Sequence, residues 1–200
     1  MKLWSIVKLG LVLMVYAVAA CVGLAFVYAG TEETIQERNR LDQETALKEL
    51  FPGAEHFKDI TGTIPSPDKA VGFENQWAAI QGDRITGAAL QAVGGSYGGP
   101  IKILVGINAD GTISRVKIME HADTPGLGAN AAKKSYFVDK KNKITFYDQF
   151  AGKSVEDPFE PKNDVVSITA ATITSRAVAA SVKAAGTAAE RWLREQGAEK

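Results

Sequence analysis

From Leu9 to Ala29 the chain runs for 21 residues without a charge. As a helix that segment is about 31 Å long, the thickness of a hydrocarbon core of about 30 Å. Residues 31–50 contain neither Gly nor Pro and predict a helix ending before Phe51-Pro52-Gly53. Residues 51–67 are rich in turn formers, and Ile64-Pro65-Ser66-Pro67 predicts a loop. Strands are predicted over 71–81 and 85–93, followed by a dense glycine loop over 94–100. Ile101, Ile103, Val105 and Ile107 then alternate with Lys102, Leu104, Gly106 and Asn108, the period of a strand with one buried face. Ala109-Asp110-Gly111 predicts a hairpin turn, and Ile113, Val116, Ile118 and Met119 its return strand. Residues 121–130 predict a loop, 143–150 a short aromatic segment, and 154–163 an acidic, Pro-containing loop. Val165 to Ile168 reads as a short β-branched strand that leads into an alanine-rich helix over 171–196. The whole predicts an α+β chain: one N-terminal transmembrane helix (1–30), a juxtamembrane helix (31–50), and a domain (51–200) with an antiparallel sheet and flanking helices.

Charge adds direction. Lys2 and Lys8 precede the apolar run, while Glu32, Glu33 and Glu37 follow it. The positive-inside rule then puts the N-terminus in the cytoplasm and the domain outside, with Trp4 and Tyr28 at interfacial depths. Two other readings compete with a retained anchor. A cleaved signal peptide has a shorter apolar core. Val18-Ala19-Ala20-Cys21 resembles a lipoprotein cleavage box, yet the apolar run continues through Val22, Leu24, Phe26 and Val27. Residues beyond 30 hold 21 basic and 23 acidic groups, so no basic face invites nucleic acid. One cysteine, Cys21, allows neither an internal disulfide nor a four-cysteine metal site, and two histidines make a poor start for any other. Redox chemistry on this chain requires an organic cofactor.

Two stretches carry candidate chemistry. Ser167, Thr169, Thr172, Thr174 and Ser175 crowd five hydroxyls around the start of the last helix, with Ala170 and Ala171 small enough for close approach and Arg176 one turn on. A helix N-terminus has free N–H groups and a favourable dipole for phosphate. The alternative is an ordinary N-cap, which needs one hydroxyl. The second stretch is Glu120-His121-Ala122-Asp123-Thr124-Pro125-Gly126-Leu127-Gly128. Its glycines permit main-chain N–H groups to approach a flat ligand; the alternative is a plain β-to-α connection. His121 beside Glu120 is a proton-transfer candidate, although a lone loop histidine is more often a surface residue. The 94–99 run lacks the lysine and hydroxyl of a P-loop and reads as a tight loop or strand edge.

Together these motifs, Thr124-Pro125-Gly126-Leu127-Gly128 and, about 45 residues on, Thr169-Ala170-Ala171-Thr172 with Thr174-Ser175-Arg176-Ala177-Val178, resemble those of the flavin-binding G subunit of the Rnf ion-translocating electron-transport complex. The C subunit of the sodium-translocating NADH:quinone reductase shares the pattern but tends to be longer. The resemblance spans nearly the whole chain. It implies an FMN-binding domain over 51–200, with FMN joined through its phosphate to Thr172. Glu120, Ser167, Thr169, Ala171, Ile173 and Thr174 would also contribute to binding the cofactor. The loop of Thr124, Pro125, Gly126, Leu127 and Gly128 would cradle the ring, Thr124 as the side-chain donor and Leu127 as the apolar contact. Two positions depart from the family pattern. Ala170 stands where the family has glycine, and Val166 where it commonly has an acid, with Asp164 two residues earlier. The implied role is an electron carrier in a complex that links ferredoxin/NAD electron transfer to Na⁺ or H⁺ transport. Its partners would be membrane and iron–sulfur subunits and a maturing flavin transferase. With no Rossmann fingerprint or cysteine cluster, the chain by itself is expected to bind neither NAD nor ferredoxin. The contrasting reading is a cofactor-free, membrane-anchored scaffold.

Overall fold

The structure, a computed structural model, describes residues 3–161 and 163–198, without the side chains of Leu3 and Ser5. Lys2, one of the two cations ahead of the apolar run, lies outside the described residues. The chain divides into two compact units, one up to Thr45 and one from Ala46 onward.

From Leu3 the described residues of the first unit are helix, part of α1 (Leu3–Leu50). Leu9, Leu13, Tyr16, Leu24, Phe26 and Tyr28 are all exposed, and the helix runs unbroken through Cys21. It is long and apolar enough to cross a membrane. From Glu32 the same helix turns polar and carries the exposed ion pairs of Arg40 with Glu37 and Glu44, at 3.0 and 3.3 Å. Pairs of this kind contribute only a few tenths of a kcal/mol each.

The second unit is built on a five-stranded antiparallel meander in chain order: β1 (His56–Asp59), β2 (Val71–Gln81), β3 (Arg84–Gly95), β4 (Pro100–Asn108) and β5 (Ile113–His121). A 3₁₀ turn (Gly128–Ala132), a two-stranded hairpin of β6 (Phe137–Asp139) and β7 (Ile144–Thr145), and a second 3₁₀ turn (Asp148–Phe150) lead to α2 (Thr172–Glu195). Leu90, Ile101, Ile103, Val105, Ile107 and Ile113 cover one sheet face, against Val178, Ala179, Val182, Ala185, Ala189 and Leu193 of α2. The alanines explain the composition of α2: small side chains let a helix lie close on a sheet. Phe146 and Phe150 meet edge to face, at 5.9 Å between ring centres, and seal one end of this core with Phe159.

Three sequence expectations are corrected by the structure. β4 does not have a single buried face. Leu104 is 1% exposed and packs with Ala79 and Ala89 against Ala46, Leu47, Leu50 and Phe51, so the end of α1 covers part of the opposite face. The 51–67 region contains the edge strand β1, whose charged, largely exposed residues carry no alternation. Residues 165–168 form no strand. Val165 makes one isolated bridge to Pro161, while Val165 and Ile168 are buried in the core. The Gln149 side chain takes the place of a neighbouring strand there, its Oε1 accepting the Val166 N–H at 2.8 Å. This irregular run is pinned to its surroundings. Asp164 accepts the N–H groups of Phe159 and Glu160 and pairs with Lys153, and Lys183 of α2 donates to the carbonyls of Val155, Glu156 and Asp157.

Candidate functional site

The hydroxyl-rich stretch folds into a tight reversal followed by the first turn of α2. Ala170 takes a left-handed backbone, φ +58°, and Ala171 occupies the cap position. No side chain caps the helix there, so an ordinary N-cap does not account for the hydroxyls. The five hydroxyls divide by burial. Ser175 Oγ accepts the Ile168 N–H and donates to the Ala171 carbonyl, both at 3.0 Å, and this cross-link holds the reversal. Thr174 is buried, and the Ser167 hydroxyl is buried without a hydrogen-bond partner. Thr169 and Thr172 are exposed. The first turn of α2 therefore presents uncommitted N–H groups and the free Thr172 hydroxyl together.

Opposite lies the loop after β5. The Thr124 carbonyl accepts the N–H groups of Leu127 and Ala129, and Asn130 Nδ2 donates to the Gly126 carbonyl at 2.8 Å. The two glycines are required for different reasons. Gly126 has φ +84° with open space where a side chain would point. Gly128 is buried, and a Cβ there would lie 2.5 Å from Thr174 Oγ1 and 2.8 Å from Asp123 Cβ and Cγ. Glycine at 128 thus allows the loop to close on the helix N-terminus.

Between loop and helix is a cleft of about 430 Å³, within the usual range for small-molecule sites. Of the sequence-predicted residues, Thr124, Leu127 and Gly128 line one wall, and Ala171, Thr172, Ile173 and Thr174 the other. Pro125, Gly126, Ser167 and Thr169 stand beside the cleft in the chain without lining it. Glu120 is engaged elsewhere. It sits opposite Lys102 in the β4–β5 ladder and pairs with it at 3.3 Å, so the structure does not bring it to the cleft. Arg176 is exposed and does not line the cleft, and His121 ends β5 with its Nδ1 buried and unpartnered. Asp164, the acid nearest the family's acidic position, is occupied with Lys153 and the 159–160 backbone.

Sequence reasoning gave no role to two lining residues, Tyr97 and Asp123, while Ala170, expected to allow close approach, does line the cleft. Tyr97 rises from the β3–β4 loop, and 74% of its surface is exposed. Asp123 is 6% exposed. Burial alone would raise its pKa, but the Ser96 hydroxyl, the Gly98 N–H and the Thr174 hydroxyl bond its carboxylate, and His121 adds favourable charge, so the net shift is downward. Asp123 is therefore ionised at neutral pH. Its contribution to stability is full above the ordinary Asp range and is lost as pH falls through the depressed value.

Ala170 offers a direct check on the reversal. A left-handed residue with a Cβ costs about 1–2 kcal/mol, most of which glycine avoids. Glycine gives back part of that gain through the entropy of the unfolded chain. Ala170→Gly is expected to stabilise the domain by about 0.5–1 kcal/mol, raising its melting temperature by roughly 1–4 °C. Ala170→Val should lower it, because a β-branched side chain tolerates this backbone poorly. Calorimetry on both variants checks the conformation, and a loss of stability in Ala170→Gly would contradict it.

The cleft suits a flat ring carrying a phosphate. Tyr97, Leu127 and Ile173 give it apolar surface, and the uncapped helix start gives it an anion site. Among the described residues no group of three or more His, Cys, Asp or Glu is placed to hold a metal. Comparison with known proteins agrees with this chemistry. Residues 96–187 match the FMN-binding domain and residues 1–50 the RnfG N-terminal region. The fold and the matched family thus define an FMN-binding domain preceded by one membrane-length helix. Among its relatives is the G subunit of the Na⁺-translocating ferredoxin:NAD⁺ oxidoreductase complex of Acetobacterium woodii. It is 30% identical over 200 residues, covering 90% of this chain and 89% of that one. The G subunit of the ion-translocating oxidoreductase complex of Aliivibrio fischeri is 32% identical over 195 residues, covering 89% and 87%. The G subunit of the proton-translocating ferredoxin:NAD⁺ oxidoreductase complex of Clostridium ljungdahlii is 32% identical over 166 residues, covering 81% and 80%. The chain belongs to the family of G subunits of the Rnf complex.

Proposed function

We propose that this chain is the membrane-anchored flavin carrier of an Rnf-type complex, with FMN attached through its phosphate to the Thr172 hydroxyl. The observation that carries this reading is the uncapped first turn of α2, which holds an exposed threonine hydroxyl and free N–H groups on the wall facing the 124–128 loop. The N–H groups and helix dipole stabilise phosphate charge, and Thr172 supplies the oxygen of the phosphodiester. Thr124 offers a hydroxyl on the opposite wall, and Tyr97, Leu127 and Ile173 exclude water from a ring seated between them. Bound FMN supplies the electron-transfer chemistry that the chain's own side chains lack. A covalent bond keeps the flavin in a compartment where replacement is slow, and a flavin transferase would install it. Electrons would pass to and from other membrane and iron–sulfur subunits. Relatives of similar identity are named for Na⁺ and for H⁺, so the coupling ion is a property of the complex. The test is the spectrum of the acid-precipitated, denatured protein: yellow colour that stays with the pellet is expected, and a colourless pellet favours a cofactor-free scaffold.

Residues 1–30 act in this reading as the anchor and 31–50 as a stalk, with the 51–200 domain outside the cytoplasmic membrane. Lys8 ahead of the span and Glu32, Glu33 and Glu37 behind it support that orientation. Protease added to cells with an opened outer layer and intact inner membrane should remove the domain. Protection until the inner membrane is broken would reverse the orientation.

A further inference from the structure

Asp123 joins three segments that are distant in sequence. Its Oδ2 accepts the Ser96 hydroxyl at 2.6 Å and its Oδ1 accepts the Gly98 N–H at 2.7 Å. These donors flank Tyr97 on both sides, so one carboxylate fixes the loop that carries the aromatic residue to the cleft. Thr174 in the first turn of α2 also bonds it. Gly98 admits no side chain, since a Cβ would strike the Ala122 carbonyl; the β3–β4 loop thus lies directly on the backbone that leads into Asp123. The residue is 6% exposed and lines the cleft. Among the described residues no lysine or arginine forms an ion pair with it, so the Ser96 hydroxyl, the Gly98 N–H and Thr174 solvate its negative charge at the cleft wall.

We propose that Asp123 is the positioning and potential-setting residue of the site: it locks the Tyr97 loop to the helix start, and its fixed charge opposes the addition of an electron to whatever the cleft holds. This rests on the flavin reading given above. A buried negative charge is weakly screened, so it disfavours the reduced, more negative form of a bound flavin.

The side-chain chemistry separates lock from charge. In Asp123→Asn the amide oxygen still accepts the Gly98 N–H, and its NH₂ can donate to the Ser96 and Thr174 oxygens. The lock is kept and the charge is lost. In Ser96→Ala the charge stays and loses one stabilising donor. Full-length protein in detergent is titrated redox-potentiometrically, with intact mass reporting the covalent flavin and calorimetry reporting the fold. Asp123→Asn should retain its flavin and melt near wild type, with the reduction equilibrium shifted at least tenfold toward the reduced form, about 59 mV for one electron. Ser96→Ala should shift it the opposite way. Folded, flavin-bearing Asp123→Asn with the wild-type potential would reduce Asp123 to a structural knot and overturn the proposal. If Asp123→Asn does not fold or does not take up flavin, Ser96→Ala decides: a negative shift supports the proposal, and no shift or a positive one overturns it. Wild-type protein without a flavin adduct is a different result; it defeats the flavin reading itself, and the proposal with it.

Discussion

Thr172→Ala is expected to give a folded, membrane-inserted, colourless protein, lighter than wild type by one FMN residue. The substitution removes the only atom that could form the phosphodiester at this position. Little else changes, because Thr172 is exposed at the first position of α2 and alanine is the best helix former. The fold should therefore survive within about 0.5 kcal/mol, the usual range for surface changes away from special features. Covalent flavin should fall from near stoichiometric to none, and electron transfer through the complex should fall with it. Thr169 is the rival acceptor, since it too is exposed and lies one residue before the left-handed Ala170. Thr174 and Ser175 are poor acceptors in the folded protein, because both are buried and Ser175 is committed to the Ile168 N–H and the Ala171 carbonyl. Intact mass of Thr172→Ala beside Thr169→Ala decides between the two. Loss of the adduct only in Thr169→Ala would move the site.

Gly128→Val should be the most damaging substitution in the 124–128 loop. Its Cβ alone would overlap Thr174 Oγ1 and Asp123, both buried and both bonded to neighbours that cannot yield cheaply. The loop must lift from the helix start, which opens the cleft wall and strains the Asp123 cluster. Overpacking of this kind costs about 1–3 kcal/mol and sometimes more, roughly 2–12 °C in melting temperature for a domain of this size. Any flavin retained should show altered absorbance and circular dichroism. Gly126→Ala isolates the backbone contribution. Its Cβ meets open space, so only the left-handed φ of +84° is penalised, at about 1 kcal/mol. Calorimetry and flavin spectra on the pair test the order. Equal effects, or a larger one at Gly126, would show that the loop and helix do not meet as described.

The strands from 71 to 121 were legible because their apolar positions recur near every second residue, most regularly in β4 at Ile101, Ile103, Val105 and Ile107, and because Gly or Asp follows closely after each of them. Helix α2 was legible because nothing in it but Gly186 opposes helix. β1 was not, since an edge strand of four largely exposed residues carries no alternation. Most of the cleft was also legible, the part that comes from two local motifs. Tyr97 and Asp123 were not, because hairpin pairing brings the 96–99 loop against residues 122–123 across 25 to 27 positions of sequence. The glycine density around Tyr97 was the only local sign that a backbone must pass close to something there. Part of the division of the hydroxyls could have been anticipated. Thr174 and Ser175 share the helical phase of Val178, Ala179 and Val182, so the period that buries the valines buries them too. Thr172, three residues before Ser175 and seven before Ala179, sits at the edge of that stripe, so the period alone did not set its exposure at the helix start.

Whether one threonine at the start of α2 carries the flavin is decided by peptide mass mapping of the wild-type protein. Trypsin cuts after Lys162 and Arg176 and releases residues 163–176, which hold all five hydroxyls of the stretch. This peptide should be yellow and heavier by one FMN residue, and fragmentation should place the added mass on Thr172. The unmodified peptide, recovered in full from protein purified with its complex, would refute the assignment.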